Sequence, residues 1–166
     1  MIQNKHIRIL AIAPLSRGLG YAVMEGPDKL LACGNKAILR DKNAGSLAWV
    51  NRFMQFYQPE VLVLPDVNAA DTRRAARINT LHRQIVAWAG KKKVKVRLVS
   101  VTQVRAQLLD DSKATKFAVA QTLAGKFPPE LGTRLPPKRR PWMSEDPRMD
   151  IFDAVGLAVA FWPLGK

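Results

Sequence analysis

Cysteine is almost missing from this chain. Cys33 stands alone, so there is no intramolecular disulfide and no cysteine zinc site. Histidine is scarce as well: His6 and His82 are isolated, without the spacing of a metal-ligand pair or a catalytic couple. His82, beside Arg83 on an amphipathic stretch, reads as a surface residue. No glycine-rich phosphate loop of the P-loop or dinucleotide type occurs, which sets those classes aside. No apolar run approaches the ~20 residues that span a bilayer, and no signal-peptide core precedes the first apolar strand. A cytoplasmic protein is the expectation. No repeat of solenoid or propeller period is visible. Most telling is the shortage of negative charge, 13 acidic against 27 basic residues, for a net charge of +14 and a pI near 10.5. Such a surface attracts polyanions, and nucleic acid is the expected partner. No long basic amphipathic helix dominates, which speaks against a membrane surface.

What is present is a folding sequence. Apolar residues make up 48% of the 166, enough to exclude disorder, and the length suits one domain with a real core. Residues 7–25, IRILAIAPLSRGLGYAVME, read as two strands around a tight turn, and the near-continuous apolar first run suits a central strand buried on both faces. A turn at Gly26-Pro27-Asp28-Lys29 leads to a third strand over 30–37, completing an antiparallel meander. Asn43 is placed to cap a helix to about Tyr57, with Leu47, Val50, Met54 and Tyr57 on one face. Residues 61–64 form a short buried strand ended by Pro65. Asp71 or Thr72 is placed to cap the next helix, to Ala89, with Ile78, Leu81, Ile85 and Trp88 inward and Arg73, Arg74 and Arg77 on the other side. Residues 94–101 alternate as a fifth strand near a sheet edge. A short helix over 102–109 and one capped by Asp111 or Ser112, to about Lys126, follow.

The segment 127–147 holds six of the eleven prolines and reads as a basic loop with Arg134, Lys138, Arg139, Arg140 and Trp142. Asp146 followed by Pro147 suits an N-cap and first helical residue. The last helix, to about Trp162, is nearly all apolar. Three strands, helix, strand, helix, strand predict a mixed five-stranded sheet flanked by helices, an α/β fold with a three-strand meander and two parallel strands.

That order, together with Ile12-Ala13-Pro14-Leu15-Ser16-Arg17-Gly18-Leu19-Gly20-Tyr21 at the end of the first strand and Asp150-Ile151-Phe152-Asp153 on the last helix, resembles the RuvC-type Holliday-junction resolvases, of RNase H-like fold, over residues 7–162. The resemblance implies a homodimer that binds branched DNA and cleaves a phosphodiester with two divalent ions, Mg²⁺ or Mn²⁺, held by converging carboxylates. Ala13 stands where the family's first metal-binding Asp lies, and Pro65 where its Glu lies, with Asp66 directly after it. The implied catalytic and metal-binding residues are Asp66, Asp150 and Asp153. Asp146 and Glu145 are candidates to stand in for the missing acid.

Each also has a plainer reading. Asp153 can be a salt-bridge partner, Asp150 a first-turn acid favoured by the helix dipole, Asp66 a turn residue and Asp146 a simple N-cap. For nucleic-acid contact the candidates are Ser16 and Arg17 beside the site, Arg73, Arg74 and Arg77 on one helix, Lys113 and Lys116 near the family's phosphate-holding base, and Lys138, Arg139 and Arg140 in the loop. Solvated surface is the alternative for each. Two functions follow: a metal-dependent structure-specific nuclease with a weakened site, or an inactive nucleic-acid-binding module of the same fold. A structural or ribosome-associated protein without a site is a third.

Overall fold

A computed structural model describes residues 7–67, 76–111 and 113–162. The sheet is built on β1 (Arg8–Leu15), buried along nearly its whole length. Successive strand side chains point to opposite faces. Thus Ile9, Ala11 and Ala13 join one hydrophobic cluster, and Leu10 and Ile12 the other. β2 (Gly18–Glu25) and β3 (Leu30–Ala37) continue as an antiparallel meander, while β4 (Val61–Pro65) and β5 (Lys95–Val99) add in parallel. The order is β3-β2-β1-β4-β5, the mixed five-stranded sheet expected, with β5 at an edge.

Helices α1 (Lys42–Tyr57) and α2 (Ala76–Lys91) cover one face. The other carries α3 (Val101–Leu109), α4 (Lys116–Lys126), the single turn α5 (Pro128–Leu131) and α6 (Met149–Phe161). Burying apolar surface on both sides of β1 is what makes its unbroken apolar run necessary. None of the described helices is long and apolar enough to cross a membrane.

Several local expectations change. Asn43 does not cap α1: Asp41 holds that position with φ 46°, and the Asn43 side chain turns to α2 instead, accepting from Arg77 Nη1 at 3.0 Å and donating to the Arg77 carbonyl at 3.2 Å. The most buried residues of α1 are Ser46, Val50 and Phe53, with the expected Leu47, Met54 and Tyr57 half-buried against the same core. β5 stops at Val99 because Ser100 forms a capping box with Gln103 and starts α3. Thr115, not Asp111, caps α4 by accepting from Ala118 N at 3.1 Å. The segment 127–147 is not all loop, since Pro128 opens a helical turn where its missing N–H is harmless. His82 is buried, not on the surface: it sits on the inward face of α2 between Ile78 and Ile85 and donates from Nε2 to the Pro65 carbonyl at 3.0 Å. The proposed caps Asp71, Thr72 and Ser112 lie outside the described residues.

Two glycines set the geometry of the site. Gly18 has φ +150°, and a Cβ there would strike the Lys36 carbonyl oxygen, so the two-residue hairpin tip of Ser16 and Arg17 depends on it. Gly20 lies opposite Ala13 in the β1–β2 register. A Cβ on it would strike the Asp150 carbonyl, so its bare backbone lets the start of α6 rest directly on the sheet beside Ala13.

Candidate functional site

The start of α6 brings acids to the hairpin tip. Asp150 and Asp153, one helical turn apart, share a face. Glu145 joins them from the loop before α6, and one oxygen from each of the three lies within 4.8 Å of the others. Two cations reach into the group. Arg17 Nη2 donates to Asp150 Oδ1 at 2.8 Å and lies 3.9 Å from Glu145 Oε1. Lys116 Nζ donates to Glu145 Oε1 at 2.7 Å and lies 3.1 Å from Asp153 Oδ2. With every group ionised, three carboxylates and two cations carry one net negative charge. Lys116 occupies the first turn of α4, the helix end where a cation is disfavoured by the dipole. The carboxylates offset that.

Burial shapes the ionisation. Asp150 is only 3% exposed, and loss of solvent raises its carboxyl above the ordinary range against the pull of Arg17. Asp153 is pushed up to about 6, first by burial and then by Glu145 and Asp150, while Lys116 pulls it down. Burial works against the Lys116 ammonium, but Asp153 and Glu145 outweigh it and raise its pKa. The Arg17 Nε is buried and has no hydrogen-bond partner among the described residues, so this cation is only partly satisfied where it stands.

The other site candidates divide clearly. Asp146 is outside the trio: it receives the Arg148 backbone N–H at 2.9 Å and both arms of the Arg148 guanidinium, which hold its pKa down at about 2. Asp146 is not the N-cap of α6 either: the helix starts at Met149 with Arg148 at the cap position and no side-chain cap, and Asp146 closes the turn before it. Asp66 follows β4, half-buried, with its N–H donating to Val99 at 2.9 Å, and is also outside the trio. Ala13 belongs to the cluster beneath α6, so a carboxylate there would face the acids. Pro65 fits β4 because the pairing of β1 with β4 ends at Ala11–Val63, and strand alternation aims its missing donor to that side.

Glu145 was the harder acid to foresee. It precedes the helix, so no periodicity links it to positions 150 and 153; its only signal was an acid close before Asp146-Pro147. Among the basic candidates, Arg77 anchors α2 to Asn43 and to the Leu15 carbonyl at 3.2 Å. The Ser16 carbonyl accepts from Lys42 Nζ at 2.8 Å. Lys113 is exposed beside the Asp111 turn, and Lys138, Arg139 and Arg140 are exposed, with Arg140 5.8 Å from the Trp142 ring centroid. Arg73 and Arg74 lie outside the described residues.

The donor set suits a hard divalent cation in kind, since three carboxylate oxygens converge. It fits one ion, and only if Lys116 and Arg17 withdraw.

A mixed five-stranded sheet of this order, flanked by helices on both faces, is an α/β fold of the RNase H-like kind. No family model and no curated protein matches the sequence. Among solved structures, RuvC of Thermus thermophilus superposes with a TM-score of 0.67 at 20% identity, covering 93% of this chain and 92% of that one. The same protein in complex with a Holliday junction substrate gives 0.67 at 19% identity over 93% and 92%. The yeast mitochondrial Holliday junction resolvase gives 0.61 at 14% identity over 95% and 78%. The chain has the RuvC-type resolvase fold.

Proposed function

We propose that this protein is a structure-selective nucleic-acid-binding protein of the RuvC type, a relative of the branched-DNA endonucleases whose phosphodiester hydrolysis is weakened. The observation that carries this is the network at the hairpin tip, where Arg17 and Lys116 hold Glu145, Asp150 and Asp153 beside Ala13. The net charge of +14 supplies the general attraction to phosphates. Arg17 and Lys116 are the local contacts: an arriving phosphate offers each cation a competing anion, and the Arg17 Nε a missing acceptor. Lys138, Arg139 and Arg140 extend the basic surface along the exposed loop.

Drawing the two cations onto phosphate would free the trio, and Glu145, Asp150 and Asp153 would then hold one Mg²⁺ or Mn²⁺. A bound ion supplies Lewis-acid polarisation of phosphate and an acidified water. Asp150, sealed from solvent and fixed against Gly20, would orient the site, and the more open Asp153 would exchange partners. Asp66 and Asp146 are left out of this role. The homodimer implied by the resemblance belongs to the proposal, since a two-fold junction presents two equivalent strands.

The inactive module is the second reading. It is favoured by the short Lys116 contacts, since an ammonium 2.7 and 3.1 Å from two carboxylates already neutralises them. The test is binding and cleavage of a four-way junction in Mg²⁺ and in Mn²⁺, with Asp153→Asn as control. Salt-sensitive junction binding with weak, Mn²⁺-favoured cutting that D153N abolishes supports the first reading. Binding without cutting selects the second. No binding at low salt overturns both.

A further inference from the structure

On the sheet face opposite α6, helix α1 carries a row of rings. Trp49, Phe53 and Tyr57 recur every four residues, and Tyr21 reaches them from β2. Tyr21 stacks on Phe53 with centroids 4.2 Å apart, and Trp49 lies 5.6 Å from Phe53. Phe53 is buried and serves as the floor. Phe56 is different: it is 79% exposed and, among the described rings, meets only Tyr57, edge to face at 4.8 Å. These rings line an open groove of about 560 Å³.

Two cations border it. Lys36 Nζ lies 4.3 Å and Arg52 Cζ 4.9 Å from the Trp49 ring centroid. Arg52 is four residues before Phe56, so the guanidinium and the open ring share a helix face. Among the described residues no carboxylate lines the groove. An exposed ring flanked by cations, free of acids, on a strongly basic chain matches the two halves of a nucleotide: a π-face for the base and positive charge for the phosphate. An apolar protein helix docking here would meet two cations that have no carboxylate partner among the described residues, whereas a nucleotide neutralises them.

We propose that this groove binds an unpaired nucleotide segment, with a base stacked on Phe56 and its phosphates held by Arg52 and Lys36. The proposal rests on reading the chain as a nucleic-acid binder, but not on the acidic trio, which lies across the sheet. Phosphate binding draws the cations away from Trp49, so the indole reports occupancy.

The test is titration of the full chain with a short oligothymidylate, followed by anisotropy of a label on the oligonucleotide and by tryptophan emission. Phe56→Ala is expected to weaken binding by tenfold or more, the range of one lost base stack. Phe56→Tyr should restore it, while Phe56→Leu, equally apolar, should not. Trp49→Phe should remove most of the emission change. The proposal is overturned if F56A binds the oligonucleotide as tightly as the parent, or if F56L rescues as well as F56Y. It is also overturned if F56A leaves binding intact and converts a dimer to a monomer, which would make the groove a contact between two copies. A protein that binds a four-way junction but no oligothymidylate loses the groove and keeps the wider reading. One that binds neither loses both.

Discussion

Two aspartates near the start of α6 have similar surroundings on paper and opposite behaviour. Asp146 pairs with Arg148 at 2.8 Å, and Asp153 with Lys116 at 3.1 Å. Their side chains are 33% and 24% exposed. Yet Asp146 is held down at about 2 and Asp153 is pushed up to about 6. The difference lies in what each partner also does. Arg148 gives Asp146 its backbone N–H and two side-chain hydrogen bonds and serves no other acid. Lys116 is shared with Glu145, and Asp153, though partly exposed, is desolvated by the protein around it and has Asp150 and Glu145 as like-charged neighbours. Pairing wins at Asp146, and desolvation with repulsion wins at Asp153.

Removing the shared cation should have the largest effect on stability. Lys116→Met leaves Glu145 and Asp153 facing each other, and a loss of about 1–3 kcal/mol at pH 7 is expected, below that of a fully buried pair because Lys116 is 41% exposed. Urea unfolding measures it, and the loss should shrink by about pH 4.5, where Asp153 takes up a proton. A variant as stable as the parent at pH 7 would break the contrast.

Asp153 itself gives the next effect. Its folded pKa of about 6 lies above the value of 3.8 from which it starts. Between these values the folded state binds more protons than the unfolded chain. Its contribution to stability therefore falls as pH rises from about 4 to 6, and is regained on acidification. The size is on the order of 1–2 kcal/mol, and D153N should lack this slope in unfolding free energy against pH.

The folding pattern was largely legible in the sequence because strands and helices advertise themselves by period. All five strands followed from apolar runs and from turns such as Gly26-Pro27, while their arrangement as β3-β2-β1-β4-β5 is set by packing that no local pattern states. What was not legible was the choice among competing polar side chains. Asn43, Asp111 and Thr115 all suit a cap, and only packing against Arg77 or the reach of Ala118 N decides among them. His82 looked superficial beside Arg83, yet the inward face of α2 carries it to Pro65. At the site, the Asp150-x-x-Asp153 spacing gave two of three acids. Glu145, in irregular chain, joins them where Asp66 does not, because tertiary contact, not spacing, brings it in.

Two smaller effects sharpen the contrast. Arg17→Ala should lower the slope of log affinity for a four-way junction against log salt by about one, the mark of one lost phosphate contact. An unchanged slope would confine Arg17 to holding Asp150. Asp146→Asn should lower stability above about pH 4 and converge with the parent towards pH 2. The depressed Asp146 pKa contributes stability above about pH 4 that is lost towards pH 2, so the variant should lack that acid-side decline and leave junction cleavage untouched.

The most direct measurement restores the missing carboxylate. Ala13→Asp would place an acid beside Asp150, across from Gly20, and can be made alone and with Pro65→Glu. Four-way junction cleavage is then followed in Mg²⁺ and Mn²⁺ for the parent, for A13D, for A13D with P65E, and for the double variant carrying D153N. A weak parent, stepwise gains with each restored acid, and loss of the gain with D153N are the results predicted for a weakened RuvC-type site. A parent that already cuts well in Mg²⁺, with no gain from A13D, would contradict the account.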